Sequence, residues 1–403
     1  MRKKVYIIGG GAAGFFCAAN LDDNRYEITI LEQNSEVLQK VRVSGGGRCN
    51  VSHACFDPKE LVKFYPRGNK ELISVFTKFQ PGDTMEWFDS RGVRLKTEED
   101  GRMFPESDSS LSIINTLLKE AANTQVDIRT KTTVKKVEKH DSGYRIHTSK
   151  EVFDTEIVIF TTGSSPKSLS ILEELGHSLI APVPSLFTFN IEDDLLTELP
   201  GTVFEHAEVS IPSLKTEESG PLLITHWGLS GPAVLKISAW KARELYDCQY
   251  EFDLQVNFIG KTIYEAEELL QEYRQNNPKR TLAQAKIFDV TGRFWKKLLS
   301  VCELNENMQI AQLSKNQISV LLHALCQKVF RVNGKSTFKD EFVTAGGVCL
   351  KEIDFKTMAS KKIPDFYIAG EVLNIDAVTG GFNFQACWSE AWLIARHLNS
   401  QKS

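Results

Sequence analysis

Short apolar runs alternate with amphipathic segments at the beginning of the chain. Residues 5–8 are apolar, a glycine-rich turn follows, and residues 12–21 carry an apolar face at helical spacing. Residues 27–31 form a second short apolar run, which ends at the acidic Glu32. A strand, a helix and a second strand within about thirty residues predict one βαβ unit.

The next part of the chain changes its periodicity twice. Residues 56–125 have mostly helical spacing, and the stretch GRMFPES at 101–107 predicts a loop within them. Residues 126–161 contain several short alternating runs, which predict a β-meander that closes on a buried strand at 157–160.

Beyond residue 182 the pattern indicates a different module. Residues 186–258 alternate as in antiparallel strands, residues 262–330 return to helical spacing, and a final helix is expected over 383–398. We therefore predict an α/β protein with a discontinuous Rossmann-like domain that is interrupted by an insertion. The expected boundaries are 1–187 and 336–403 for the Rossmann-like domain, 188–260 for an antiparallel β domain and 261–335 for a helical subdomain.

Composition and charge reduce the number of function classes that suit this chain. The net charge of −4 over 403 residues gives no field that favours nucleic acid or anionic membranes. The basic run at 129–139 lacks interleaved aromatic residues, so we interpret it as the solvated side of the meander. Eight scattered cysteines without a Cys-x-x-Cys pair predict reduced thiols, a cytoplasmic location and no metal site. No apolar run approaches the roughly 18 residues of a membrane span.

The first turn carries a dinucleotide motif. Gly9, Gly11 and Gly14 form Gly-x-Gly-x-x-Gly between the first strand and the first helix. These glycines permit a tight turn, approach of a pyrophosphate to the backbone, and packing of the helix on the sheet. The pyrophosphate would lie at the helix N-terminus, and Glu32 would bind the adenosine ribose hydroxyls.

The other end of the chain favours FAD over NAD. The apolar run before Gly370 and Glu371 predicts a strand, and Gly380 and Gly381 precede the final helix. An acidic group at the strand end is suited to the ribityl or pyrophosphate part of an extended FAD. The helix N-terminus is suited to the pyrimidine edge of the flavin, where it would stabilise negative charge. A third strand end, at Thr162 and Gly163, would lie beside the cofactor.

The stretch SGGGRCN at 44–50 allows four interpretations: a flexible loop, a phosphate cradle, a metal site or a redox thiol. No further cysteine or histidine is spaced to complete a metal site, and Cys387 is the only partner we would test for Cys49. The favoured interpretation is a backbone surface against FAD, since glycines let main-chain atoms approach closely. Arg48 would then contact the pyrophosphate or the flavin edge.

Six blocks together resemble a known family. They are IIGGGAAG, SGGGRCNVS, GRMFPES, THWGLSGPAVL, AGGVCLKEIDFKTMASK and AGEVLNIDAVTGGFNFQACWSEA, in order between residues 5 and about 397. The chain resembles the BaiN-like (YhiN-like) NAD(P)/FAD-dependent oxidoreductases. The resemblance implies a two-part FAD-binding domain, an inserted β-barrel-like domain and a small helical domain.

The motifs and the resemblance together give the candidate FAD contacts, some of them through the backbone alone. They are Gly9, Gly11, Ala12, Ala13, Gly14, Glu32, Gln33, Lys40, Ser44, Gly45, Gly46, Gly47, Arg48, Cys49, Asn50, Val134, Thr162, Gly163, Gly370, Glu371, Gly380, Gly381, Phe382 and Asn383.

This chain departs from the family pattern at three places. It has Leu38 and Gln39 where the family has a glycine shortly before Lys40, and residues 374–377 read Asn-Ile-Asp-Ala in place of Asp-Val-Asp-Gly. The loop after Gly163 is also shorter than in the family. Because that loop would lie near the substrate, substrate identity does not transfer from relatives.

The expected function is that of an FAD-dependent oxidoreductase acting on a small organic molecule. No second Gly-x-Gly-x-x-Gly is present, so NAD(P)H as electron donor would bind at the flavin face. His226, in THWGLSGP, is the candidate proton donor, and a structural histidine in a turn is the competing interpretation. The alternatives are an oxygen-dependent oxidase of a small amine and, from another class, an FAD-containing protein that binds or modifies RNA.

Overall fold

The computed structural model describes residues 2–336 and 343–401. The described chain divides into two compact units. The first unit contains the residues up to Val183 and those from Val343 onward, and the second contains the residues from Pro184 to Ser336. The predicted boundary between 335 and 336 lies next to residues 337–342, which are outside the described residues.

A seven-stranded sheet forms the centre of the first unit. Its strands are β1 (Lys3–Ile8), β2 (Tyr26–Leu31), β6 (Asp127–Arg129), β10 (Ile157–Phe160), β19 (Ile353–Asp354), β20 (Ala359–Ser360) and β21 (Phe366–Ile368), in the order β19-β20-β21-β10-β1-β2-β6. The five strands from β21 to β6 are parallel, and β20 and β19 add antiparallel strands at one edge. Most of their apolar side chains are buried, as expected for a parallel sheet covered on both faces.

The helices of the first unit are α1 (Ala12–Ala18), α2 (Gln39–Val43), α3 (Pro58–Leu61), α4 (Asn69–Phe76), α5 (Pro81–Asp89), α6 (Ser110–Asn123), α7 (Pro166–Glu174) and α13 (Phe382–Ser400). Helix α13 packs against α1, α4 and α5 through a face of aromatic and small residues. Its observed bounds confirm the final helix expected from the sequence to within two residues at each end.

The smaller sheets of the first unit correct one expectation from the sequence and confirm another. They are β3-β5-β4 (Ser52–His53, Arg102–Pro105, Leu95–Thr97), β7-β8-β9 (Val134–His140, Gly143–Thr148, Val152–Thr155) and β11-β18 (Leu179–Ser185, Val343–Val348). The loop expected at 101–107 is wrong, because Arg102–Pro105 is the central strand of its sheet, with Met103 and Phe104 buried. The meander is confirmed for β7 to β9, whereas β6 belongs to the central sheet.

A closed barrel forms the second unit, in the order β12-β15-β14-β13-β16-β17. Its strands are β12 (Thr188–Ile191), β13 (Val203–Ile211), β14 (Thr216–Ile224), β15 (Gly228–Ser230), β16 (Glu251–Asn257) and β17 (Lys328–Ser336). Its helices are α8 (Pro232–Trp240), α9 (Ala242–Asp247), α10 (Ile263–Asn276), α11 (Gly292–Val301) and α12 (Lys315–Cys326). Barrel and helices share one buried apolar cluster.

The expectation of helical structure up to residue 330 is wrong at its end. Helix α12 stops at Cys326, and β17 then pairs with both β12 and β16. The apolar residues Phe330 and Val332 alternate into the barrel core, while Val329 and Arg331 are exposed. This period of two is too short in sequence to distinguish from the end of the preceding helix.

Candidate functional site

The turn between β1 and α1 has the shape that a dinucleotide requires. A Cβ on Gly9 would lie 2.5 Å from the carbonyl oxygen of Thr161, and a Cβ on Gly14 would collide with the carbonyl oxygen of Gly9. Gly11, in contrast, has open space where a side chain would be. The turn therefore packs tightly on the sheet side and leaves the N-terminus of α1, at Ala12 and Ala13, open to an anion.

Glu32 lies at the end of β2 and is fixed by backbone groups. Its side chain is buried and accepts hydrogen bonds from the amides of Gly10 and Asn34, each at 2.8 Å. The Glu32 carbonyl oxygen accepts from the amide of Thr132, which brings the segment before Val134 to the same place. Gln33 is exposed beside it. A carboxylate has about four acceptor positions, so Glu32 retains capacity for ribose hydroxyls.

The 44–50 loop is a run of left-handed backbone conformations. Gly45, Gly46 and Gly47 have φ of 57°, 67° and 84°, and Cys49 has φ of 63°. A Cβ on Gly45 would press on the Phe104 ring at 2.9 Å, whereas Gly46 and Gly47 face open space. The loop is thus closed on one side and presents bare backbone on the other, which is the property needed for close contact with a cofactor.

The Arg48 side chain is held by groups of the protein. Its Nη1 lies 2.6 Å from Glu98 Oε1 and 3.5 Å from Asp108 Oδ1. Its guanidinium carbon lies 3.8 Å from the centre of the Phe104 ring. These contacts anchor the 44–50 loop to the β3-β5-β4 sheet. The predicted contact between Arg48 and the cofactor remains a proposal.

Polar side chains join the 44–50 loop to the N-terminus of α13. With its amide oriented to satisfy both groups, Asn50 donates to Ser52 O and accepts from Gly381 N, each at 3.0 Å. Gly381 has no room for a Cβ, which would collide with Ser52 O. Asn383 bonds the backbone amide and carbonyl of Ala377 at 3.0 and 3.2 Å. Two glycine-rich segments more than 300 residues apart in sequence therefore lie side by side.

Phe382 begins α13 within an aromatic group. Its ring stacks on Phe64 at 4.3 Å and lies 4.5 Å from the His53 ring. Its carbonyl oxygen accepts from the Tyr65 hydroxyl at 2.5 Å. The His53 Nδ1 lies 3.2 Å from the carbonyl oxygen of Gly380. These contacts fix the start of α13 and with it the direction of the helix dipole.

Lys40 and Glu371 form an ion pair at the same edge of the sheet. The other carboxylate oxygen of Glu371 accepts from Thr344 N at 3.1 Å, and the Thr344 hydroxyl lies 2.8 Å from that of Ser164. Gly163, with φ of 68°, turns the chain toward Glu371 directly after Thr162. The Lys40–Glu371 ion pair and the Thr344 and Ser164 hydroxyl groups thus lie near the ends of β10 and β21.

Of the two thiol groups near this site, that of Cys49 is on a buried residue and that of Cys387 is on a half-buried one. Cys49 is fully buried, and burial raises the pKa of its thiol to about 12. Burial also raises the pKa of Cys387 far above its usual range, with Glu390 and Glu371 adding to the effect. Because the thiolate is the reactive form, these environments do not favour thiol chemistry near neutral pH. Within the described residues, no group of three or more His, Cys, Asp or Glu could hold a metal ion.

The residues of the first unit fit an extended FAD. The groups suited to FAD lie at the carboxyl ends of β1, β2, β10 and β21 or in the loops bonded to them. They are the open positions at Gly11, Gly46 and Gly47, the N-termini of α1 and α13, and the buried Glu32 carboxylate. Ligands of open α/β sheets bind at this edge.

His226 lies in the second unit, in the hairpin between β14 and β15. It is exposed, as is its neighbour Trp227, whose side chain is 56% accessible. Thr225 closes the hairpin by accepting from Trp227 N at 3.2 Å and bonding the carbonyl oxygen of Gly228. The hairpin is ordered by backbone contacts, and the imidazole is available to a ligand.

Sequence reasoning missed several residues that shape this site. The sequence analysis assigned no role to Thr161, Thr344, Gln385 or Glu390, although the last two lie in a family block. Each bonds to a partner on another element. Gln385, for example, accepts from Ser52 and Thr84 inside the core. A polar residue on the apolar face of a predicted helix is the one signal that would have found Gln385 and Glu390.

Comparison with known proteins finds a family and relatives that match almost the whole of this chain. Residues 3–397 match the family described as "HI0933-like protein Rossmann domain". The ribosomal RNA dihydrouridine synthase of Escherichia coli (strain K12) is 28% identical over 416 residues, which cover 100% of this chain and 99% of the relative. The 3-dehydro-bile acid delta(4,6)-reductase of Clostridium scindens is also 28% identical, over 98% of both chains.

Among solved structures, the 3-ketosteroid-delta4-(5alpha)-dehydrogenase from Rhodococcus jostii RHA1 superposes with a TM-score of 0.53 at 12% identity. The superposition covers 98% of this chain and 97% of the other. This likeness supports the two-part fold. Over the described ranges, no helix has both the length and the apolar character needed to cross a membrane.

Proposed function

Since the chain belongs to the HI0933-like Rossmann-domain family and is an FAD-dependent oxidoreductase, we propose that it reduces a carbon–carbon double bond conjugated to a carbonyl group. The single observation that carries this proposal is the pair of full-length relatives. One is a reductase of a dehydro-bile acid, and the other is a dihydrouridine synthase. Both names describe the addition of two hydrogens to a double bond in conjugation with a carbonyl.

The reaction needs a hydride at the carbon β to the carbonyl and a proton at the α carbon. FAD, when bound and reduced, supplies the hydride. We propose the candidate positions of the first unit as the FAD contacts. The backbone amides at Ala12 and Ala13 would neutralise the pyrophosphate, and the N-terminus of α13 would stabilise the negative charge of the reduced ring. His226 is our proposed donor of the proton to the α carbon.

We propose NAD(P)H as the electron donor, bound directly at the flavin face. Stopped-flow mixing of the FAD-loaded protein with NADH or NADPH under argon tests this donor. Rapid bleaching of the flavin, followed by reoxidation on addition of a conjugated enone, is the expected result. Absence of bleaching, together with peroxide formation from an amine in air, would replace the reductase with an oxidase.

A uracil within RNA is a second candidate substrate. It is favoured because relatives from both Escherichia coli and Haemophilus influenzae are named ribosomal RNA dihydrouridine synthase. The net charge of −4 opposes nonspecific binding to RNA, so recognition would have to be local. Filter binding of a ribosomal RNA fragment at rising salt is the test. Tight binding that weakens steeply with salt supports this substrate, and weak binding at all salt concentrations removes it.

A further inference from the structure

A carboxyl group to which the sequence analysis assigned no role lies beneath the proposed FAD site. Glu390 is on α13, and its side chain is completely buried. Its Oε2 accepts a hydrogen bond from the backbone amide of Gly370 at 2.6 Å. Its Oε1 is buried and has no hydrogen-bond partner among the described residues. A carboxylate with a single hydrogen bond in the core is strongly disfavoured against the neutral acid.

The amide that Glu390 holds belongs to the turn that shapes the site. Gly370 has φ of 84° and lies between two helices, since a Cβ there would be 3.4 Å from the Ala13 Cβ and 3.6 Å from the Cys387 sulfur. Ala13 is in the first turn of α1, where the pyrophosphate would bind. The residue after Gly370 is Glu371, which pairs with Lys40. Glu390 therefore fixes the point where α1, α13 and the end of β21 meet.

Within the part of the chain that the structure describes, no cation compensates a charge at this position. The titratable groups that face Glu390 are the Cys387 thiol and the Tyr65 hydroxyl, and burial raises the pKa of both. Burial likewise raises the pKa of Glu390 to about 8, and the Gly370 amide only partly offsets this effect. The charged or titratable side chains on α1, β3, α4 and α5, which pack against α13, have no described interaction with Glu390. They are Cys17, His53, Lys70, Glu71, Asp83, Glu86 and Asp89.

We propose that Glu390 is a positioning residue for FAD that acts as a neutral acid: its carboxyl group holds the Gly370–Glu371 turn, and loss of its proton weakens FAD binding. The reason is electrostatic. The FAD pyrophosphate carries negative charge to the turn beside Ala13, so a second, unpaired negative charge under Gly370 would oppose it in a medium of low dielectric constant. The inference concerns cofactor binding and is independent of the substrate.

The test is FAD affinity as a function of pH, measured by flavin fluorescence on the full-length apoprotein. For the wild type we expect the dissociation constant to be steady from pH 6 to 7 and to rise about tenfold by about pH 9.5. Glu390→Gln retains an acceptor for the Gly370 amide and cannot ionise, so its dissociation constant for FAD should not rise with pH. Glu390→Leu removes the acceptor and should bind FAD about tenfold more weakly at every pH.

Cys387→Ser is the matched control, because it removes the neighbouring titratable group and should keep the wild-type pH dependence. The proposal is wrong if Glu390→Gln retains the wild-type rise or if Glu390→Leu binds FAD like the wild type. If a variant does not fold, proton uptake by the wild-type protein on FAD binding still tests the proposal. Titration calorimetry in two buffers near about pH 8.5 should show net proton uptake on FAD binding, and none would overturn the proposal.

Discussion

Single glycines decide how closely the backbone of this protein could approach the proposed FAD. Gly46 illustrates the point, because its φ of 67° disfavours any side chain while the space around it is open. Its backbone conformation therefore favours glycine, and the open space around it leaves room for a ligand at the candidate site.

We expect Gly46→Ala to lower stability modestly and to lose FAD. The left-handed backbone costs about 1 kcal/mol for a non-glycine residue, and the new methyl group would occupy the cofactor surface. Gly92→Ala is the matched control, since Gly92 has φ of 83° and open surroundings but lies outside the candidate site. Thermal unfolding should shift similarly in both variants, whereas flavin fluorescence should show weak FAD binding only in Gly46→Ala. Equal affinities in the two variants would contradict a cofactor surface at Gly46.

Cys49→Ser is expected to retain both FAD and turnover. The thiol is buried with a pKa of about 12, so only a minute fraction is thiolate near neutral pH. Absorbance of the bound flavin and steady-state turnover of the variant are the two measurements. Retention of FAD with abolished turnover would restore the redox-thiol interpretation.

Helix α13 combines two roles that place conflicting demands on its residues. Its N-terminus forms part of the proposed FAD site, and its apolar face, with Trp388 fully buried, packs into the core of the first unit. Glu390 lies on that buried face, which gives the apoprotein a pH dependence of its own.

The free energy of unfolding of the apoprotein should fall as pH rises from about 4.5 to about 8. Glu390 has a pKa of about 8 when folded and about 4.3 when unfolded, so in this window the folded state binds a proton that the unfolded state has lost. The stabilising effect is complete below the lower value and is lost as pH rises to the upper one. Urea unfolding at several pH values should show a fall of up to about 1.4 kcal/mol per pH unit relative to Glu390→Gln. Parallel curves for the two proteins would contradict the burial of an ionisable group here.

At the scale of the whole molecule, the proposed FAD contacts and the proposed proton donor belong to different compact units. Every candidate FAD contact lies in the first unit, and His226 lies in the second. This separation predicts that cofactor binding and proton donation respond to different substitutions.

We expect His226→Ala to bind FAD like the wild type and to lose about 100-fold or more in turnover of a conjugated enone, since general acid catalysis contributes on this scale. Anaerobic reduction of the flavin by the nicotinamide should be unchanged, because that half-reaction needs no proton from His226. Flavin absorbance and separate half-reaction rates measure these effects. Wild-type turnover with FAD retained would remove His226 from catalysis.

The sequence by itself determined the features that local pattern controls. The turn from Gly9 to Gly14, the acidic end of β2 and the final helix are each set by residues that are neighbours in the chain, so their spacing predicted them. The barrel expected from the resemblance is present, as are the α/β class and the central strands.

Tertiary structure alone decided which distant groups meet. Residues 102–105 became a strand because β3 and β4 supply its hydrogen bonds, and β17 formed because β12 and β16 lie on either side of it. Arg48 finds Glu98 and Phe104, and Glu390 finds Gly370, through packing that no local spacing encodes. Periodicity reports which face of an element is buried, whereas the partner of a buried polar group is set by the whole fold.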